Sequence, residues 1–270
     1  MVAFPPCKIN LGLHVVRKRP DGFHDLETCF FPVPFTDVLE IIRAEELVFT
    51  TSGLDIPGSA ADNLCLKAFR MLRDDGLISA NVRIHLHKIV PTGAGLGGGS
   101  SDAAHTLRML NSIFDLKLGT SALESYAARL GSDCAFFIHD TPMMGTGRGE
   151  ILEPIELSLS GMFLVLLNPG IHVSTADAFG GIKPEASRTS LASIIKSPIG
   201  EWRDVLRNDF EVTVFERYPA IRELKDKLYA AGATYAAMTG SGSTVFGIFQ
   251  EPVDIPSVDS KTLIWQGVLP

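Results

Sequence analysis

The sequence lacks any apolar run long enough to cross a membrane. Its longest uninterrupted apolar stretch covers residues 162–167, far short of the roughly 18 residues that a spanning helix needs. The N-terminus also lacks a basic segment followed by a long apolar one, which is the pattern of a secretory signal. We therefore expect a cytoplasmic protein that does not bind membranes.

Cysteine is scarce, and the four cysteines are far apart in the sequence: Cys7, Cys29, Cys65 and Cys134. No two of them form a CxxC pair, which argues against a zinc module and against a disulfide framework. We predict four reduced thiols.

Positive charge is in deficit. The 24 lysines and arginines are outnumbered by 31 aspartates and glutamates, which gives a net charge of -7. Proteins that bind nucleic acid neutralise its phosphates with Lys and Arg, so this class is disfavoured. Any anionic ligand must be bound by a local group of donors, and no obligate protein partner is evident.

The remaining composition is that of a globular protein, with 46% hydrophobic and 20% charged residues in a chain of 270. The pattern of strands and helices restarts after Pro154. This restart predicts two domains, at residues 1–155 and 156–270. Both halves mix antiparallel-looking strands with helices, which favours an α+β fold over a regular βαβ succession.

A strict alternation opens the chain. Residues 9, 11, 13 and 15 are apolar, whereas residues 8, 10, 12 and 14 are polar or glycine, which predicts a half-buried strand with Lys8 and Asn10 on one face. Similar patterns predict strands at residues 38–43, 47–50, 82–87, 162–167, 234–238 and 244–249. Helices are predicted at residues 62–74, 100–114, 121–130, 201–216 and 219–228.

The strongest chemical signal is a glycine-rich loop at residues 91–104, between a predicted strand and a predicted helix. Five glycines occupy seven positions from Gly93 to Gly99. Glycine lets the backbone take positive φ and approach a ligand closely, and the free amides of a helix start attract anions. A bare turn needs only one or two glycines and no helix directly after it, so we predict a phosphate-binding loop.

Two common phosphate loops fit this stretch poorly. No Lys follows the glycines, where Ser100 and Ser101 stand instead, and this excludes a P-loop. Gly93, Gly95 and Gly98 do satisfy GxGxxG, the dinucleotide-binding pattern. That fold requires a buried, nearly continuous apolar strand before the glycines, whereas this strand alternates with polar residues.

Three stretches of the sequence resemble motifs of the GHMP kinases, the family of galactokinase and of homoserine, mevalonate and phosphomevalonate kinases. They are Lys8-Ile9-Asn10-Leu11, the glycine loop, and Thr239-Gly240-Ser241-Gly242. Residues 19–26, 130–133 and 208–211 are similar to members of the family whose substrate carries a cytidine diphosphate. The resemblance spans nearly the whole chain.

The resemblance implies a two-domain GHMP kinase fold, with an N-terminal domain like the second domain of ribosomal protein S5, a C-terminal α/β sandwich domain and an active site in the cleft between them. It implies transfer of the γ-phosphoryl group of ATP to a tertiary hydroxyl, with Asp133 as catalytic base and Lys8 as its cationic partner. A base and a cation suit this chemistry because an alcohol is a weak nucleophile until its proton is removed. Taken alone, a Lys on a polar strand face is usually solvated, and an Asp after Gly-Ser usually caps a helix.

The same resemblance implies two sets of binding residues. Asn63 also suits the N-cap of a helix, and Phe179 also suits an ordinary core. The ATP-binding residues are Asn63, Leu64, Pro91, Thr92, Gly93, Ala94, Gly95, Leu96, Gly97, Gly98, Gly99, Ser100 and Ser101. The substrate-binding residues are Asn10, Phe23, His24, Thr175, Phe179, Gly240 and Ser241, with the cytosine between Phe23 and Phe179.

No metal site of the protein's own is predicted. Arg83, His85 and His87 share one strand face, but without a carboxylate or cysteine nearby we predict a solvated outer face. Mg²⁺ is expected to be held mainly by the ATP phosphates and water, with help from Ser101 or Asp133.

Two other functions stay open. The chain could be another small-molecule GHMP kinase of the homoserine or mevalonate type, which the segment Asp21-Gly22-Phe23-His24 disfavours. It could also be a nucleotide-binding regulator without catalysis, which the presence of both Lys8 and Asp133 disfavours.

Overall fold

The structure is a computed structural model that describes residues 1–185, 189–255, 258 and 261–270. The chain packs into two compact units, each discontinuous in sequence. Unit one comprises Met1–Cys7, Val33–Thr92 and Gly97–Thr141, and unit two comprises Lys8–Pro32, Gly93–Leu96 and Pro142–Pro270. These units describe packing, so the domain division at residue 155 stays a prediction.

Strands and helices alternate irregularly along the described chain, as expected for an α+β fold. The strands are β1 (Val2–Ala3), β2 (Pro6–Lys18), β3 (His24–Thr36), β4 (Val38–Ala44), β5 (Val48–Gly53), β6 (Asn81–Lys88), β7 (Met143–Thr146), β8 (Ile151–Pro154), β9 (Phe163–Leu167), β10 (Tyr235–Met238), β11 (Val245–Phe249) and β12 (Leu263–Val268). The α-helices are α1 (Leu64–Asp74), α2 (Gly98–Ile113), α3 (Thr120–Leu130), α4 (Thr175–Phe179), α5 (Leu191–Ile195), α6 (Trp202–Val205), α7 (Phe210–Arg217) and α8 (Pro219–Ala230).

Unit one contains a four-stranded sheet in the order β1-β4-β6-β5. In β6 the alternate residues Val82, Ile84 and Leu86 are buried, as the period-two pattern predicts. The pairing of β4 with β6 is antiparallel, whereas β5 runs parallel to β6. Helices α1 and α2 pack against each other. Strand β6 leads into the glycine loop and α2 follows it. The places of β6 in the sheet and of α2 against α1 therefore fix the two ends of the loop.

Unit two contains the four-stranded sheet β10-β11-β9-β12, whose strand β9 is buried along its whole length. Helices α7 and α8 supply apolar side chains to the same core, among them Val214 and Leu228, which cluster with Val165 of β9. A third sheet has the order β2-β3-β7-β8. Its strand β2 was predicted to be half-buried, and this is wrong, because residues 7–15 are buried on both faces. Burial of Lys8 and Asn10 on the polar face is possible because both side chains are hydrogen-bonded, as Asn10 is to Thr28.

The predicted helix at residues 201–216 is also wrong, because it is two helices with an extended break at residues 206–209. The break lies along β2, where Leu13 accepts a hydrogen bond from the Asp209 amide at 2.8 Å and donates one to the Arg207 carbonyl at 2.9 Å. The side chain of Asn208 accepts a hydrogen bond from the amide of Phe210, the first residue of the next helix, at 3.0 Å. A long-range pairing therefore overrides the local helical pattern.

The other predicted strands and helices are confirmed to within three residues at their ends. Strands β1, β3, β7, β8 and β12 and helices α4 and α5 were not predicted. In β3 the reason is visible, since Pro32 and Pro34 interrupt the pattern that marks a strand. The four cysteines are free, as predicted, and all four are buried. Among the described residues, every helix is too short or too polar to span a bilayer.

Candidate active site

The glycine loop takes a backbone conformation that other residues rarely adopt. Gly93, Gly95 and Gly97 have φ of 66°, 81° and 68°, in the left-handed region. Gly97 is the N-cap residue of α2, and the amides of the next residues begin the helix. The sequence of the loop thus produces a helix start with free donors directly behind a left-handed turn.

Packing within the protein explains two of the glycines. A Cβ atom on Gly95 would lie 2.1 Å from the carbonyl oxygen of Thr239, and one on Gly98 would lie 2.9 Å from Lys88 Nζ. Gly99 differs, because a Cβ atom there would meet no protein atom within 4 Å. Close approach to a ligand is therefore a sufficient reason for glycine at Gly99, whereas Gly95 and Gly98 are required by the fold itself.

The predicted catalytic lysine lies in unit two and is almost fully buried. Lys8 Nζ donates to Asn10 Oδ1 at 2.6 Å and to the Gly95 carbonyl at 2.9 Å. Lys8 is 3% exposed, so the alternative of a solvated lysine is wrong. The two hydrogen bonds hold the ammonium in one position beside the loop, which suits a group that must stabilise charge at a defined point.

The C-terminal glycine motif lies beside Lys8. Thr239 Oγ1 accepts a hydrogen bond from the Asn10 amide at 3.0 Å and lies 3.1 Å from the Gly95 carbonyl. A Cβ atom on Gly240 would stand 3.5 Å from Lys8 Nζ. Residues 239–242 form a turn closed by a 3.0 Å bond from Gly242 to Thr239, and this turn contains Ser241. The structure thus brings together motifs that are about 230 residues apart in the sequence.

In unit one, several of the predicted ATP-binding residues line a single cavity of about 160 Å³. Asn63 also caps α1, since its side chain accepts from the Cys65 amide at 2.9 Å, so its capping role is confirmed and its place by the adenine stays a prediction. The cavity is lined by Asn63, Leu64, Thr92 and Gly99, together with Ile56, Pro57, Ser59, Asp62, Lys88 and Asp102.

The predicted base, Asp133, is half-buried in unit one, between α3 and the short 3₁₀ helix Phe136–Ile138. The N-cap residue of that short helix is Ala135, so capping does not account for Asp133. Burial raises the pKa of the neighbouring Cys134 thiol to about 12, and a hydrogen bond with Ser100 opposes the rise. The contact with Ser100 joins the segment after α3 to the first turn of α2.

Each of the three aromatic residues predicted to bind the substrate contacts another side chain of unit two. His24 stacks on Phe179, with ring centroids 4.6 Å apart, and Phe210 meets Phe179 edge-on at 4.7 Å. Phe23 is 53% exposed, and the guanidinium of Arg148 lies over its ring at 5.1 Å. Phe179 therefore packs against His24, and the placement of the cytosine between Phe23 and Phe179 stays a prediction. Thr175 is exposed at the start of α4.

The two histidines of β6 form hydrogen bonds to neighbouring hydroxyl groups. His85 lies 2.8 Å from Thr50 Oγ1 and 2.9 Å from Ser52 Oγ, and His87 lies 2.9 Å from the same Ser52 oxygen. Arg83 is exposed. Within the described part of the chain, no cluster of three His, Cys, Asp or Glu side chains is arranged to hold a metal ion.

A buried charge cluster next to the loop was not predicted. Lys88 Nζ donates to Asp37 Oδ2 and, at 2.8 Å, to Asp102 Oδ2, and all three residues are at most 1% exposed. Burial raises the pKa of Asp102 to about 7, while Lys88 opposes the rise and Asp37 adds to it. One signal could have revealed the cluster: Lys88 continues the buried phase of β6, and a buried ammonium requires a carboxylate partner.

Two sequence profiles match the chain. The profile of the GHMP kinases N terminal domain matches residues 63–141, and that of the GHMP kinases C terminal matches residues 190–259. Together with the fold and the three motifs, these matches define the class: the chain belongs to the GHMP kinase family. Kinases of this family use ATP as the phosphoryl donor.

Relatives within the family narrow the comparison. The chain is 53% identical to 4-diphosphocytidyl-2-C-methyl-D-erythritol kinase of Cytophaga hutchinsonii over 250 residues, which is 92% of each chain. It is 49% identical to the kinase of the same name from Bacteroides fragilis over 263 residues, 96% of each chain. A crystal structure of 4-(cytidine 5'-diphospho)-2C-methyl-D-erythritol kinase matches with a TM-score of 0.79 at 31% identity, covering 92% of this chain and 90% of that chain.

Proposed function

We propose that this chain transfers the γ-phosphoryl group of ATP to the 2-hydroxyl of 4-diphosphocytidyl-2-C-methyl-D-erythritol, a step of non-mevalonate isoprenoid precursor biosynthesis. The observation that carries the proposal is the 53% identity, over 92% of both chains, to a kinase named for this substrate. The buried and doubly hydrogen-bonded Lys8 supports it, because a purely nucleotide-binding protein has no need of a fixed ammonium there.

Two residues perform the chemistry in this proposal. Asp133 takes the proton of the substrate hydroxyl as the new oxygen–phosphorus bond forms and the bond from the γ-phosphorus to ADP breaks. Lys8 stabilises the negative charge that develops on the reacting oxygens. Asn10 and the Gly95 carbonyl act on Lys8, because their hydrogen bonds fix where its charge lies.

ATP is bound by the loop residues 91–101, with Asn63 and Leu64 by the adenine. The amides at the start of α2 suit the phosphates, since a helix N-terminus carries a partial positive charge. The cavity beside Gly99 joins the loop to Asn63 and Leu64, as a nucleotide that extends from its phosphates to its base would require.

The oxygen donors near the loop suit Mg²⁺, which prefers oxygen ligands and keeps several waters. Asp133 is half-buried and carries a carboxylate, whereas the Ser101 hydroxyl is fully buried and lies 3.5 Å from His105 Nδ1. Asp133 is therefore the better protein ligand of the two. When bound with ATP, the ion neutralises part of the phosphate charge.

The cytidine substrate is bound in unit two by Phe23, His24, Thr175 and Phe179, and its reacting end by Asn10, Gly240 and Ser241. Exposed Phe23 offers a ring for stacking on the cytosine. His24 supplies a polar edge, and the ring of Phe179 stacked against it fixes its orientation.

The proposal extends to the domain boundary and the location. The two profile matches fall on either side of residue 155, which supports domains at 1–155 and 156–270. Four free thiols support a reducing compartment such as the cytoplasm.

The decisive experiment compares kcat/KM for the cytidine compound, its uridine analogue, mevalonate and homoserine, with ADP release as the readout. We expect the cytidine compound to be preferred by at least about a hundredfold, because a group that hydrogen-bonds cytosine is left unpaired by uracil. Preference for mevalonate or homoserine would assign a different kinase activity. ATP binding without turnover of any of the four compounds would assign a regulator.

A further inference from the structure

The strand before the glycine loop and the helix after it are joined by buried ionic hydrogen bonds in unit one. Asp37, between β3 and β4, accepts hydrogen bonds at Oδ1 from the amides of Ile89 at 2.6 Å and Val90 at 2.8 Å. Its other oxygen, Oδ2, accepts from Lys88 Nζ. One carboxylate therefore binds three consecutive residues at the entrance of the loop.

Lys88 extends this connection to the exit of the loop. Its ammonium donates to Asp102 Oδ2 on α2 at 2.8 Å, and it lies directly beneath Gly98, where a Cβ atom would be only 2.9 Å away. The residues between these two anchors are the loop itself. The positions of the loop amides thus depend on these hydrogen bonds at the two ends of the loop. Asp37 is the buried side chain at the centre of the hydrogen-bonded group.

We propose that Asp37 is a positioning residue for nucleotide binding, which acts through Lys88 and the amides of Ile89 and Val90 to hold both ends of the glycine loop. This rests on the proposed function only in taking ATP as the ligand of the loop. Asp37 does not itself line the cavity and contacts none of the loop glycines among the contacts described, so its effect on ATP passes through Lys88 and the backbone amides of Ile89 and Val90.

The two carboxylates of the cluster provide a matched test, because they use their oxygens differently. Asp37 uses both oxygens as acceptors, so Asp37→Asn must point an NH₂ group at Lys88 or at the two backbone amides, and one set of bonds is lost. Asp102 Oδ1 has no hydrogen-bond partner among the described residues, so Asp102→Asn can keep its bond to Lys88 through the remaining oxygen.

The experiment measures KM for ATP, kcat and KM for the cytidine compound in both variants, with calorimetric affinity for a non-hydrolysable ATP analogue. We expect Asp37→Asn to raise KM for ATP and the dissociation constant of the analogue about tenfold, with kcat at saturating ATP within twofold. Asp102→Asn, which lies at the cavity wall and keeps the bond to Lys88, should raise KM for ATP less than half as much as Asp37→Asn does. Equal effects of the two variants, or unchanged ATP affinity in Asp37→Asn, would overturn the proposal.

A structural control separates positioning from general destabilisation. Asn111 binds the amide and the carbonyl of Leu118 at 3.0 Å each, so it fixes a different loop of the same unit in a comparable way. Asn111→Ala should lower the melting temperature and leave KM for ATP unchanged. If it raises KM for ATP as much as Asp37→Asn does, the effect is general and the proposal fails.

A second variant covers the case in which Asp37→Asn does not fold. The double variant Lys88→Met/Asp102→Asn removes the bridge to α2 and leaves Asp37 as the one charged side chain of the cluster, held by its two amide bonds. We expect KM for ATP to rise at least about fivefold, and a rise below twofold would overturn the proposal. Failure of the proposed function is recognised separately, by wild-type protein that binds the ATP analogue but does not turn over the cytidine compound.

Discussion

Asn208 donates its side-chain amide to the backbone carbonyl of Gly240 at 2.8 Å, and also to that of Met238 at 2.8 Å. The same side chain accepts from the Phe210 amide at 3.0 Å. One residue in the break between α6 and α7 therefore fixes the turn that carries the C-terminal glycine motif.

Two substitutions of Asn208 test whether the fold depends on its NH₂ donor group or only on the shape of its side chain. Asn208→Ala loses three buried bonds, and we expect the free energy of unfolding to fall by about 2 to 4 kcal/mol. Asn208→Asp has the same shape but points an oxygen at two carbonyl oxygens, so it should be at least as destabilising. Urea denaturation of both variants measures this, and an Asp variant as stable as wild type would contradict it.

The catalytic assignment predicts loss of turnover without loss of affinity for ATP measured in the absence of Mg²⁺, the ion that Asp133 helps to hold. Asp133→Asn and Lys8→Ala should each lower kcat by about 10² to 10⁴, the usual contribution of a positioned base or charge. Steady-state kinetics and calorimetric binding of an ATP analogue test this together. If either variant retained half of wild-type turnover, the role given to that residue would be wrong.

Gly99 offers the cleanest test of phosphate binding at the loop. A methyl group there meets no protein atom within 4 Å, and φ is not in the left-handed region, so Gly99→Ala should fold normally. If phosphate occupies the open space, the methyl group should weaken ATP binding about tenfold. Gly119→Ala is the matched control, since Gly119 also has open space and also stands at the N-terminal end of a helix. Equal ATP affinity in the two variants would place the phosphates elsewhere.

Asp102 predicts a pH dependence of stability. Burial raises its pKa from 3.8 to about 7, so between these values the folded chain binds more protons than the unfolded chain at this carboxyl. The free energy of unfolding contributed by Asp102 therefore falls as the pH rises through this window. Asp102→Asn cannot ionise, and it should be more stable than wild type at pH 8 and lose that advantage near pH 4.

Thermal unfolding at both pH values measures the difference. Asp75 is a control in which the change of stability with pH should have the opposite sign. Hydrogen bonds from Tyr126 and Arg129 lower the pKa of its carboxyl group. Asp75→Asn should therefore be less stable than wild type at pH 8, with the gap closing as the pH falls through the lowered pKa. A stability gain of Asp102→Asn that is the same at both pH values would rule out the raised pKa.

Local features of the sequence were sufficient for much of the fold. The phosphate loop, the strand before it and the helix after it follow from adjacent residues, because alternation, glycine and helix capping are short-range signals. The predicted ATP residues Asn63, Thr92 and Gly99 do line one cavity. The spacing of these residues along the chain does not give the distances between them in the fold. Only the family resemblance predicted that they lie together.

Long-range contacts account for what the sequence did not reveal. The helix predicted at residues 201–216 is broken because Leu13 pairs with the segment around Asn208, almost 200 residues away. The buried charge cluster joins three separate segments of the chain, at Asp37, Lys88 and Asp102. No local motif therefore marks these residues as a cluster. The stacking of His24 on Phe179 likewise depends on tertiary packing that neither flanking sequence encodes.

The contact between Gly95 and Thr239 has a consequence for synthesis of the chain. Gly95 leaves the ribosome long before Thr239, and until residue 239 has folded the loop lacks the carbonyl against which Gly95 packs. A nascent or truncated chain that ends near residue 155 would keep α2 and the cavity beside Asn63, yet its loop would be free to adopt other conformations. High-affinity nucleotide binding should therefore arise late in translation, after the C-terminal glycine motif has emerged.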